Sequence, residues 1–167
     1  HPTVSFPKMA ANFTMDTLQT AGASRDVVLI GYGQNALDGS LKAAAAAQGR
    51  TVTPDAHPER GLFYRADHFP MAKRGVPVQL LMGLGGGPDL VKGGREAGEA
   101  WVNQFTADCY HKACDAWRPD WDLTGAAQDV DLLWVQGKAL ATGRAWPAWS
   151  ADSEFAPVRA ATASQRR

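Results

Sequence analysis

The segment from Asp26 to Thr53 constrains the fold more than any other part of the chain. Asp26-Val27-Val28-Leu29-Ile30-Gly31-Tyr32-Gly33 is rich in β-branched residues and closed by glycine, so it reads as a buried strand. Leu37 to Gln48 follows as a helix, with Leu37, Leu41, Ala44, Ala45 and Gln48 at helical spacing. Gly49 stands where a left-handed C-terminal cap belongs, and Thr51 to Thr53 opens another short strand before Pro54. Strand, helix, strand is an α/β signature.

Further strands fit the same class. Met9 to Met15 is a short apolar run that ends at Asp16, and Val76 to Met82 is a second, with Pro77 near its start where a ladder tolerates it. An acid at the carboxyl end of a buried strand is where open α/β sheets place ligand-binding groups, but capping a turn is the commoner task of such an Asp. Phe69 to Arg74 is expected to form one or two helical turns ended by Gly75. Gly83 to Gly98 holds seven glycines and is expected to be a loop; no Gly-Lys-Ser/Thr follows it, which excludes a phosphate-binding loop. From Leu123 to about Gly143 the apolar positions trace one helical stripe of core type, with Asp122 as its expected N-cap. Residues 1–150 are read as one unit and residues 151–167 as an irregular tail.

Composition narrows the function classes. A chain of 167 residues suits one domain with a real core, and 45% apolar and 20% charged residues are ordinary globular values. The formal net charge of zero leaves no footprint for nucleic acid or an anionic membrane, and no apolar run is long enough to span a bilayer. Two cysteines do not make a disulfide scaffold, though their closeness allows a single bridge. The chain starts at His1 rather than methionine and reads as cut there.

Chemistry-bearing residues concentrate in two places. Asp108-Cys109-Tyr110-His111-Lys112-Ala113-Cys114-Asp115 packs a histidine, a tyrosine, three acids or bases and both cysteines into one short run. Imidazole is the commonest side-chain metal ligand and a frequent general base. Leu62-Phe63-Tyr64-Arg65-Ala66-Asp67-His68-Phe69 mixes aromatic and charged residues in a loop, a pattern more often functional than structural. His57 reads as a solvated loop residue and His68 as a structural hydrogen-bonder.

Three separated stretches then coincide with one family. Asn12-Phe13-Thr14-Met15-Asp16, Phe63-Tyr64-Arg65-Ala66-Asp67-His68 and Cys109-Tyr110-His111-Lys112-Ala113-Cys114-Asp115 occur in that order. From about Met9 to Trp149 the chain resembles the carboxyl-terminal part of the co-catalytic two-zinc aminopeptidases, which include secreted bacterial aminopeptidases and glutamate carboxypeptidase relatives. The resemblance implies an incomplete, mixed, mainly parallel sheet flanked by helices. It implies Asp16 and His111 as ligands to different zinc ions, and Tyr110 as a catalytic donor to a developing oxyanion. It also places Arg65 near the substrate's end group, Asp67 behind the metal site, and Cys109 and Cys114 in a bridge around the histidine, although the residues alone leave free thiols open.

The departures from the family matter as much. A His-x-Asp and a Glu-Glu pair, expected to supply the remaining zinc ligands and the general base, occur nowhere in the chain. Even catalytic zinc sites use about three protein ligands. The implied protein is therefore a secreted or periplasmic peptidase acting on peptides with two zinc ions. The present chain would hold an incomplete site and expose a sheet edge prone to self-association. The alternative is a non-enzymatic binding module that keeps the fold. A glutamine-cyclising relative ranks lower, because such relatives place a tryptophan where Tyr110 stands.

Overall fold

The structure is a computed structural model that describes residues 2–166; His1 and Arg167, the outer ends of the two expected units, lie outside the described residues. Four strands form one sheet: β1 (Asn12–Asp16), β2 (Asp26–Ile30), β3 (Thr51–Pro54) and β4 (Val78–Met82), in the order β1-β4-β2-β3. β1 pairs parallel with β4, β2 pairs parallel with β3, and β2 runs antiparallel to β4. The sheet is thus mixed, open and flanked by helices, as expected of an incomplete peptidase domain. β1 and β3 are its edges.

Residue alternation explains why β2 and β4 lie at the centre. Both strands are buried at every position. Val28, Ile30, Val78, Leu80 and Met82 point to one face, and Val27, Leu29 and Leu81 to the other. Helices α1 (Leu37–Ala47) and α4 (Thr124–Thr142) cover the second face through Leu41, Ala44, Ala45, Leu132 and Leu133. The first face is covered by Phe63 and Ala72 from the loop and short helix α2 (Phe69–Ala72), by Val102, and by Trp149 and Phe155 near the carboxyl end. Each of the Val, Leu, Ile, Met and Phe side chains among them, fully buried, contributes about 1.5–3 kcal/mol.

Three local expectations are corrected. The glycine-rich loop ends early: helix α3 (Gly94–Asp108) begins inside it. Gly98 is required there by packing, since a Cβ at that position would lie 2.0 Å from the Pro88 carbonyl oxygen. The terminal segment is not irregular throughout, because α5 (Ala156–Ala161) forms and buries Arg159. That guanidinium donates to the Met9 and Ala10 carbonyls at 3.0 and 3.3 Å and ties the two ends of the chain together. Asp122 acts one residue further out than expected: Leu123 is the N-cap, and the Asp122 carboxylate accepts the Thr124 N–H at 3.1 Å.

Candidate functional site

β1 delivers Asp16 to the end of the sheet, opposite Met82 of β4. The next residue, Thr17, has a φ of 43° and turns the chain away from the strand. Its hydroxyl donates to Asp16 Oδ1 at 2.9 Å, and Asp16 lines a cleft. That cleft encloses about 350 Å³ between the end of β1, the second half of α3 and the loop that follows α3.

The walls are largely aromatic. Trp101 and Phe105, one turn apart on α3, stack at 5.7 Å with nearly parallel rings. The Trp101 indole N–H donates to the Thr20 hydroxyl at 3.2 Å, which orients the ring. Trp121 closes another side, and Arg118 lies at the rim, ion-paired with Asp120 at 2.7 Å. Both partners of that pair are exposed, so it adds little stability.

Cys109 and Cys114 are bonded to each other, with Cα atoms 5.1 Å apart, and both line the cleft with Asp115. Between them Tyr110 and His111 stack on each other at 3.9 Å, and the Tyr110 ring also packs on Phe105 at 6.0 Å. His111 has a φ of 60°, a left-handed conformation uncommon outside glycine, within the short loop that the bridge closes. It is exposed, while Tyr110 is half-buried. The structure therefore brings Asp16 and the bridged loop to one cleft. Tyr110 and His111 stand on that loop but outside the cleft's own lining. Arg65 and Asp67 are exposed and belong to a different loop, and neither lines the cleft.

A match to the family described as Peptidase family M28 spans residues 1–135. The chain belongs to peptidase family M28. No curated protein and no solved structure matches it. The M28 chain is thus of a hydrolytic, metallopeptidase type, and M28 peptidases are typically zinc-dependent. The residues present do not by themselves fit a zinc ion. Among the described residues no group of three or more His, Cys, Asp or Glu side chains converges, and both cysteines are committed to the bridge. No helix among the described residues is long and apolar enough to cross a membrane.

His68 departs from its expected role. It is fully buried against Phe63, with ring centroids 4.7 Å apart, and neither ring nitrogen has a hydrogen-bond partner among the described residues. Burial pushes its pKa down to about 4; the nearby Phe63 carbonyl, which does not reach hydrogen-bonding geometry, and the carboxylates of Asp16 and Asp67 offset this only in part. The imidazole is therefore neutral at pH 7. The cleft's aromatic wall is not evident in the sequence, because Trp101 and Phe105 lie on the helix hidden by the glycines. Their i, i+4 spacing was the available signal.

Proposed function

We propose that this M28 chain is the carboxyl-terminal part of a zinc-dependent aminopeptidase of a secreted or periplasmic compartment, inactive on its own. The observation that carries the reading is the shared cleft, in which Asp16 at a strand end faces the bridged loop that holds His111. Asp16 and His111 are the two metal ligands this chain would contribute, one to each ion. The remaining ligands and the general base must come from outside these 167 residues, since His-x-Asp and Glu-Glu are absent from them. The Cys109–Cys114 bridge supports a compartment that permits disulfides.

The chain's own residues suggest how a peptide would sit. The stacked Trp101 and Phe105 offer an apolar wall beside Asp16, suited to a large apolar side chain at the peptide's amino end. Tyr110, held between Phe105 and His111, is the phenol assigned to donate to the developing oxyanion, a contact worth about 2.7–4 kcal/mol in comparable sites. In this reading Arg65 would reach the substrate's end group and Asp67 would support the site from behind; both side chains are exposed.

One observation favours the second reading, a binding module that keeps the peptidase fold: among the described residues no metal-holding group forms. Elemental analysis of the purified chain after dialysis against trace zinc addresses the ligand count. Well under one zinc per chain is expected, and close to two per chain would overturn the proposed incompleteness. In the longer protein, two zinc ions per chain that fall to one in both Asp16→Ala and His111→Ala support the enzyme. Unchanged zinc content in both variants supports the binding module instead.

A further inference from the structure

A second cleft, of about 380 Å³, lies beyond the carboxyl ends of β2 and β3, across the sheet from β1, and shares no lining residue with the first. Because β2 runs antiparallel to β4, the carboxyl ends of β2 and β3 point away from Asp16, and the cleft is built where those strands end. Tyr32 and Tyr64 form facing parts of its wall and are 40% and 49% exposed, high values for large rings with no ring contact between them. Phe63 supplies the floor, and Pro54 and Pro58 hold the rim in rigid backbone. Phe63 and Tyr64 are held in place. Gly31, at φ 80°, lets the chain pass against the Phe63 ring, where a Cβ would lie 2.5 Å away. The Tyr64 hydroxyl donates to Glu154 at 2.9 Å.

A carboxylate lies in the cleft wall itself. Asp55 lines the cleft and accepts the His57 backbone N–H at 2.8 Å through one oxygen, leaving the other available. Glu154 is anchored on Tyr64, and Glu59 stands near His57 at 3.3 Å. Lys42 already places its ammonium 4.6 Å from the Tyr32 centroid. An electron-rich ring face beside a carboxylate attracts a weakly hydrated organic cation, and aromatic walls serve this recognition in quaternary-ammonium sites. We infer that the cleft of Tyr32, Phe63, Tyr64 and Asp55 is a binding site for an organic cation of the trimethylammonium class. The inference does not rest on the peptidase reading.

The test is a titration of the intact chain with choline, followed through the ring-proton resonances of its tyrosines, phenylalanines and tryptophans, beside 3,3-dimethylbutan-1-ol, the neutral isostere of choline. Saturable shifts at Tyr32 and Tyr64 are expected with choline, and at least about tenfold weaker binding with the isostere. Asp55→Asn keeps the acceptor for the His57 N–H but removes the charge, and should weaken choline about fivefold. Lys42→Met removes the competing cation and should strengthen it about two- to threefold, an outcome that loss of fold cannot mimic. Equal binding of choline and its isostere would mean a merely apolar cleft and would overturn the proposal. So would choline affinity unmoved by both substitutions, or choline shifts confined to Trp101 and Phe105 of the first cleft.

Discussion

Two aspartates stand at the same end of the sheet and are treated in opposite ways. Asp26, at the start of β2, is only 1% exposed and fully partnered. It accepts from the Asp89 N–H at 2.7 Å, the Thr53 hydroxyl at 2.6 Å and the Arg95 guanidinium at 2.6 Å. Around it Arg50 bonds Asp129 at 2.7 Å, Ser24 at 2.9 Å and the Asp26 carbonyl at 2.6 Å. Asp16, at the end of β1, accepts one side-chain bond from its neighbour Thr17 and otherwise faces open space. A carboxylate retained for the fold is closed on every side, because an unmet buried charge is costly. One retained for chemistry keeps acceptor capacity free. The contrast agrees with the role proposed for Asp16 and draws on no relative.

The contrast breaks first under truncation. Asp26→Ala would strand the Asp89 N–H, the Thr53 hydroxyl and one side of Arg95. Losing one partner of a buried ion pair typically costs about 3–5 kcal/mol, and the partial exposure of Arg95 argues for about 3 here. Asp16→Ala removes one partly exposed bond and should cost less than about 1 kcal/mol. Urea unfolding of both variants checks the pair. Equal losses at the two positions would end the distinction.

The same difference governed what could be read from sequence. The closed region was legible because its strands carry unbroken apolar runs, and α1 shows its period in Leu37, Leu41, Ala44 and Ala45. Helix α3 was not legible. Gly93, Gly94 and Gly98 read as loop, whereas Gly98 is demanded by the approach of Pro88 rather than by a turn. Losing α3 also hid Arg95, whose bond to Asp26 joins residues 69 apart in sequence and leaves no local trace. At the site, Asp16 and the Cys109–Cys114 stretch stood out through a family pattern, but Trp101, Phe105 and Trp121 converge only in three dimensions. The state of His68 is hidden from sequence for a related reason: burial without partners is a tertiary property, and sequence reports only that an imidazole is present.

His68 sharpens the comparison by pH. Its pKa in the fold, about 4, is below the ordinary value of 6.5, so the folded state prefers the neutral ring. The stability this represents is fully present above pH 6.5 and is lost as pH falls from there toward 4. The full shift corresponds to at most about 3 kcal/mol, and about 2 is expected after relaxation around the ring. Asp129 acts in the opposite sense: burial pushes its carboxyl up to about 6 against the pull of Arg50, so its protonation below pH 6 favours the fold. Comparing wild type with His68→Leu separates the two. Over pH 6.5 to 4 the variant should lose less stability than wild type by about 2 kcal/mol. Parallel stability curves would mean that the ring finds a partner in solution.

The smallest effect on stability lies at the edge that carries Asp16. β1 pairs only with β4, and the Asn12 N–H donates to the Pro77 carbonyl at 2.9 Å, so the alternate residues Phe13 and Met15 turn their backbone groups to the open side. Met15 is 43% exposed on this edge, a position that invites pairing with a second strand. We propose that the isolated chain self-associates through β1. Met15→Lys should shift stability by no more than about 0.5 kcal/mol, since an exposed side chain at a strand edge packs against little. It should nevertheless weaken association about tenfold or more, because a charge on an open edge must be desolvated when another strand docks. Sedimentation over a range of concentrations reads this directly. A chain that stays monomeric, or association indifferent to Met15→Lys, would show that β1 tolerates its open edge alone. Asp16 would then be held by β4 without any help from a strand on the other side.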